Sequence, residues 1–263
     1  MNHSFDLTGK VAIVTGASSG MGYAISLRYA AAGAIVIATA RREALLKQLA
    51  AEAKDSPGQI IPFVGEITND SIIKKMINFA LKQAGRLDIV VANAGIMDNF
   101  APVEDVTDHM WQQVMDVNLN APFKLIRAAL PKLAKNKKTG GSVIIVASVG
   151  GLRGGPAGVT YVSSKHGAIG LMRAVAYTSA DKNIRCNAIC PGAVSTDINN
   201  SMSKLYPEGP HKAGMEKSMK GMHLVPKMGT PEEIAAIAHF LASDASSLIS
   251  GAAITADGGW STY

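Results

Sequence analysis

The sequence predicts an α/β fold: a doubly wound parallel sheet of seven strands, forming one domain over residues 1–263. Two observations carry this. Short apolar, β-branched runs alternate with segments of helical pattern, and the runs are continuously apolar rather than alternating, as strands buried on both faces are. The first run also ends in a glycine-rich turn that opens directly into a helical pattern. Right-handed crossovers between such strands place a ligand crevice at their carboxyl ends.

Taken in order, Lys10 to Thr15 is the first strand, closing on Gly16-Ala17-Ser18-Ser19-Gly20-Met21-Gly22, with a helical pattern from Tyr23 to Ala32. Glycines let a backbone approach a pyrophosphate with no Cβ in the way. The free N–H groups and positive dipole end of the next helix favour an anion. The spacing is G-x-x-x-G-x-G rather than G-x-G-x-x-G, so a plain tight turn competes with phosphate binding here. Ala34 to Ala40 is the second strand and Glu43 to Lys54 the second helix. Strands follow at Ile60 to Val64, Leu87 to Ala92, Ser142 to Ala147, Ile184 to Ile189 and Ala252 to Thr255, with helices near 70–84, 108–135, 160–180 and 231–243. No linker, low-complexity run or repeat marks a second domain.

Composition narrows the function. Nearly half the residues are apolar and only 17% are charged, which suits a compact enzyme-like globule. No apolar run approaches the roughly 20 residues that span a bilayer. Met1 to Lys10 is too short and polar for a signal peptide, so a cytoplasmic chain with no membrane partner is expected. Cys186 and Cys190, four apart on one strand, are too distant for a disulfide and read as small buried hydrophobes in a reducing compartment. The net charge is +6, but apart from Lys135, Lys137 and Lys138 the basic residues are scattered and lack interleaved aromatics, so nucleic acid is not the expected partner. No metal is expected.

The second strand bears on the ligand. In dinucleotide folds an acid near its end accepts from a ribose 2′-OH, whereas a 2′-phosphate needs a cation. This end reads Ala38-Thr39-Ala40-Arg41-Arg42, with no acid before Glu43. Arg41, with Arg42 and the Ser18 hydroxyl, predicts a phosphate site and hence NADP(H); a solvated helix start is the competing reading. Further on, Tyr161 and Lys165 stand one helical turn apart. An ammonium beside a phenol favours the phenolate, so the tyrosine is expected to be more acidic than usual, a usable proton donor and acceptor.

Thr15 to Gly22, Asn93-Ala94-Gly95, Asn118, Ser148, Tyr161-x-x-x-Lys165, Pro191-Gly192 and Asp257-Gly258-Gly259, in this order, resemble the short-chain dehydrogenase/reductase family, from about Leu7 to Gly259. The resemblance implies a Rossmann fold and hydride transfer between NADP(H) and a ketone or secondary alcohol. It makes Tyr161 the proton donor, Lys165 the residue that lowers its pKa and binds the nicotinamide ribose, Ser148 the donor to the carbonyl oxygen, and Asn118 the holder of a water leading from Lys165 to solvent. It also implies cofactor contacts from Gly16, Ser18, Ser19, Gly20, Met21, Gly22, Arg41, Arg42, Glu66, Ile67, Asn93, Ala94, Gly95, Pro191, Gly192, Val194 and Thr196. Two departures stand out: Ala92 where the family often has Asn, which bears on hydrogen bonding between sheet and helix, and Glu66 where it often has Asp.

By the same resemblance, about 198–226 is a substrate lid, and the assembly a homotetramer formed through the long fourth and fifth helices and the C-terminal region. The lid carries Met202, Met215, Met219 and Met222 with Leu205, Tyr206 and Leu224. This suits a bulky hydrophobic, even steroid-like, ketone, or simply packing on the core. Gly150 to Gly155 is expected to shape the other pocket wall. Reduction of 3-oxoacyl groups on an acyl-carrier protein, met by Arg127, Lys132 and Arg173, ranks second because Tyr177 stands where such reductases often have a basic residue. A non-catalytic nucleotide-binding protein is the remote alternative.

Overall fold

In a computed structural model of the chain, residues 5–136, 139–196, 198–221, 225 and 227–262 are described. Lys137, Lys138, Met222 and Leu224, each named above, and Pro226 at the end of the expected lid lie outside them. The strands are β1 (Val11–Thr15), β2 (Ile35–Ala40), β3 (Gln59–Val64), β4 (Ile89–Ala92), β5 (Gly141–Val146), β6 (Ile184–Pro191) and β7 (Ala253–Ala256). Among the described residues they form one seven-stranded sheet ordered β3-β2-β1-β4-β5-β6-β7, parallel throughout. Each expected strand is present, its ends moved by no more than two residues.

The helices are α1 (Gly20–Ala31), α2 (Glu43–Glu52), α3 (Asp70–Ala84), α4 (Asp108–Met115), α5 (Ala121–Leu133), α6 (Val159–Thr178), α7 (Ile198–Leu205), α8 (Lys212–Met219) and α9 (Pro231–Ala242). Side chains alternate across a strand, so continuous apolar strands feed two layers. Ala12, Val14, Val36, Ala38, Ile144 and Val146 pack with α1, α2 and α9, while Ile13, Ile37, Val143 and Ile145 pack with α3, α5 and α6. Local signals set the helix ends. Asn69 accepts from the Ser71 N–H at 2.9 Å to start α3, and Gly85, at φ 71°, ends it in the left-handed region. Thr230 and Glu233 form a reciprocal capping box on α9, with Pro231 in its first turn.

Two expectations shift. The single helix expected over 108–135 is interrupted by a π-turn at Asp116–Asn120. Pro122 has no N–H, so the Asn118 carbonyl loses its ordinary i+4 partner, and a widened turn absorbs the defect. The region expected as a lid contains α7 and α8. Leu205 and Tyr206 pack there on Ile96, Met110 and Val114. Because β1 lies between β2 and β4, the connections leave it in opposite directions, opening a crevice at the strand ends.

Candidate active site

A cleft of about 370 Å³ opens at that crevice. Its first wall is the turn after β1. A Cβ at Gly22 would lie 2.4 Å from the Gly16 carbonyl oxygen, so the glycine is what lets α1 pack this closely on the strand end. Ser19, the residue before α1, makes no side-chain cap. Its hydroxyl instead accepts from Arg42 Nη2 at 2.7 Å, while Ser18 Oγ accepts from Arg42 Nη2 at 2.8 Å and Nε at 3.1 Å. Among the described residues the first turn of α1 is thus left without a side-chain partner, beside a guanidinium. Arg41, favoured by the sequence, also lines the cleft but makes no bond to these serines: it is exposed and lies 3.4 Å from Glu66.

Across the cleft, Thr15 stitches β1 to β4. Its Oγ1 accepts from the N–H groups of Asn93 and Ala94 at 3.1 and 3.2 Å, and Asn93 Nδ2 donates to the Thr15 carbonyl at 2.9 Å. These bonds leave Asn93 Oδ1 buried without a hydrogen-bond partner among the described residues. An acceptor so placed on a cleft wall is available to a ligand's hydroxyl.

At the inner end α6 presents Tyr161 and Lys165, both buried, with Lys165 Nζ 5.4 Å from the tyrosine ring centroid. The ammonium donates to the Val146 carbonyl at 3.0 Å. Burial lowers its pKa to about 8. Tyr161 goes the other way: burial pushes it up to about 12, the Ser148 hydroxyl bonded to it pulls it down, and Asp98 pushes it up. Burial thus shifts the phenol opposite to the direction expected from the sequence, while Lys165 lies over the ring with its donor directed at the strand end.

Asn118, held by the π-turn, accepts from the Ile96 N–H at 2.9 Å and donates to the Ile96 carbonyl at 2.9 Å and to Ser164 Oγ at 3.1 Å. A Cβ at Gly95 would sit 3.3 Å from Asn118 Oδ1 and 3.5 Å from Lys165 Nζ. The missing side chain leaves these two polar atoms facing one spot beside the Gly95 backbone. A phenol, a hydroxyl bonded to it and a buried amine with an outlet can move a proton to or from an oxygen bound beside them.

Most residues expected around the cofactor do line this cleft: Gly16, Ser18, Ser19, Gly20, Met21, Arg41, Arg42, Glu66, Ile67, Asn93, Ala94, Gly95, Tyr161, Lys165 and Thr196. Gly22 lies behind the turn. Pro191 ends β6, Gly192 closes against Asp257, and Val194 bridges to Gly229; none of the three is on the cleft wall. Sequence reasoning missed Ile96, Val117 and the Val146 carbonyl, and above all Asp98, which is 1% exposed. Its signal was there to read: a lone acid in the run Gly95-Ile96-Met97-Asp98-Asn99-Phe100.

The family profile described as Enoyl-(Acyl carrier protein) reductase matches residues 16–261. The 3beta-hydroxysteroid dehydrogenase 2 of Eggerthella lenta is 38% identical over 99% of this chain and 98% of its own. The 3-oxoacyl-acyl-carrier-protein reductase FabG of Thermotoga maritima is 36% identical over 96% and 98%. Among solved structures, a short-chain type dehydrogenase/reductase from Mycobacterium marinum superposes with a TM-score of 0.87 at 30% identity, covering 98% of both chains. A putative NAD(P) dependent gluconate 5-dehydrogenase from Beutenbergia cavernae, with bound NADP at low occupancy, does so at 0.84 and 34%, covering 98% and 99%. With its parallel sheet, its glycine turn and its Tyr161–Lys165 helix, the chain belongs to the short-chain dehydrogenase/reductase family of oxidoreductases.

Proposed function

We propose that this chain is a cytoplasmic NADP(H)-dependent oxidoreductase that interconverts a bulky hydrophobic ketone and its secondary alcohol. The observation that carries the reaction is the group at the cleft's inner end: Tyr161 and Ser148 side by side over Gly150, Lys165 over the tyrosine ring, and Asn118 close to Lys165 across Gly95. Bound there, a dihydronicotinamide supplies the hydride. As the carbonyl carbon accepts it, Tyr161 gives its phenolic proton to the carbonyl oxygen and Ser148 donates a hydrogen bond to the same oxygen, offsetting the charge that grows on it. Tyr161 is then reprotonated by way of Lys165 and the spot beside Asn118.

NADP(H) over NAD(H) is supported by Arg42 rather than Arg41. Its guanidinium, resting on the Ser18 and Ser19 hydroxyls at the start of α1, offers a 2′-phosphate a charged donor and two hydroxyls. Asn93 Oδ1 suits the adenosine ribose. The apolar substrate is supported by Ile96, Val117 and Ile198 on the cleft wall and by the Leu205–Tyr206 end of α7 packed against Ile96. The Eggerthella lenta relative's name points to the steroid class, and that of the Thermotoga maritima relative to 3-oxoacyl thioesters, the second reading. A homotetramer is proposed on the exposed Trp111 and Phe123 of α4 and α5.

The test is a panel of 3-oxosteroids, an acetoacetyl thioester and small polar ketones, each with NADPH and NADH. Fastest turnover of a 3-oxosteroid with NADPH is expected. Saturation by the thioester at low concentration would move the reading to acyl reduction, and cofactor binding with no turnover of any carbonyl would sink the enzymatic reading.

A further inference from the structure

The acid that the sequence reading passed over is tied to the helix that carries Tyr161. Asp98, in the loop after β4, is 1% exposed. Its Oδ1 accepts from the N–H of Gly158 at 3.1 Å and of Phe100 at 3.1 Å, and its Oδ2 accepts from the N–H of Tyr161 at 2.9 Å. Gly158, the residue preceding α6, makes no cap of its own. A carboxylate from 60 residues away thus closes the open N-terminal turn of α6, where the helix dipole favours negative charge. The approach is close enough that a Cβ at Gly158 would fall 2.5 Å from Asp98 Oδ2.

The other side of the same loop seats α8. The His211 N–H donates to the Asn99 carbonyl at 2.7 Å, and a Cβ at Gly214 would fall 1.9 Å from the Phe100 carbonyl oxygen. Phe100 adopts a left-handed φ of 67°, a conformation that persists in a bulky residue only where its surroundings enforce it.

We propose that Asp98 is a positioning residue for Tyr161: it fixes the first turn of α6 relative to the cleft, and its charge adds to the burial that holds the phenolic proton until the carbonyl oxygen takes it. This rests on the assignment of Tyr161 as proton donor. The charged and polar groups acting on that phenol are Ser148 and Asp98, with Lys165 over the ring; Tyr206 feels the same carboxylate, Cys190 interacts with Lys165, and Arg173 with Cys190. In the reducing direction the rate falls as pH climbs through the Tyr161 pKa. Removing the negative charge lowers that pKa, so the fall comes earlier.

The experiment compares Asp98→Asn with the unaltered enzyme, using NADPH and whichever of the 3-oxosteroid or acetoacetyl thioester is reduced faster. Two results are expected: kcat at pH 7 falls about tenfold or more with NADPH affinity, read by fluorescence titration, held within about twofold, and the ratio of kcat at pH 11 to kcat at pH 7 falls about 1.5-fold or more further. An unchanged kcat overturns the proposal, as does an unchanged ratio, the mark of a merely structural cap. Tyr161→Phe, run in parallel, separates the two readings: substantial residual activity there refutes the proton donor itself, whereas its inactivity beside an unaffected Asp98→Asn refutes the positioning role alone. If Asp98→Asn does not fold by far-UV circular dichroism, Gly158→Ala displaces the carboxylate with every charge retained; a similar loss of kcat at unchanged NADPH affinity is expected, and full activity overturns the proposal.

Discussion

At the scale of single residues, the site separates side chains that meet a ligand from those that shape the space around it. Tyr161→Phe removes the proton and leaves the ring, so turnover should fall by roughly a thousandfold or more while NADPH affinity is kept; steady-state rates beside fluorescence titration check this. Arg42→Ala should raise the KM for NADPH about tenfold or more, the loss of charge-assisted bonds worth roughly 1.5–3 kcal/mol, and leave NADH use nearly as it was. Arg41→Ala should do much less, because that side chain is exposed and already beside Glu66. Gly95→Ala is the sharpest test of the proton outlet. The added methyl meets Asn118 Oδ1 at 3.3 Å, a tight contact that a small shift relieves, and it stands between Asn118 and Lys165, so kcat should drop with KM unchanged while far-UV circular dichroism shows the fold kept. The Tyr161–Lys165 pair was legible in the sequence because a four-residue spacing is local, whereas Asn118 and Ser148 entered only through the family resemblance. Which arginine reaches the serines was not legible, since Arg41 and Arg42 are neighbours in the chain and diverge only at the strand end.

At the scale of elements, the strands and most helix boundaries follow from periodicity and caps. The α9 start illustrates it: Thr230, Pro231 and Glu233 form a capping box legible in sequence and present in the structure. Thr230→Ala should cost about 1 kcal/mol, lowering Tm by roughly 2–4 °C, as read by calorimetry. The π-turn at Asp116–Asn120 was not legible as such, although its cause, Pro122 four residues after Asn118, is written in the chain. A proline within a helical pattern signals a defect but not whether a kink, a break or a widened turn absorbs it. Nor was the cap on α6 legible, because its acceptor comes from a distant loop shaped by Phe100 at positive φ.

For the molecule as a whole, burial at the cleft has a thermodynamic consequence. Lys165 falls from 10.5 to about 8 on folding. Between those values the unfolded chain holds a proton that the folded chain has released, so stability rises with pH across the window, and the cost, on the order of 3 kcal/mol, is fully present below pH 8. Lys165→Met should therefore be inactive yet more stable at pH 7 by about 1–2 kcal/mol, once the lost bond to Val146 is allowed for. Urea midpoints for the two proteins should converge from pH 8 to 10.5. The sequence by itself determined the parallel α/β order, the glycine turn and most of the residues lining the cleft, because burial pattern and motif spacing are properties of the chain read in one dimension. Only the tertiary structure decided that Arg42 holds the serines, that the buried phenol is less acidic than its neighbouring lysine suggested, and that Asp98 closes the helix carrying it. Desolvation and long-range hydrogen bonds come into being only when distant segments pack together.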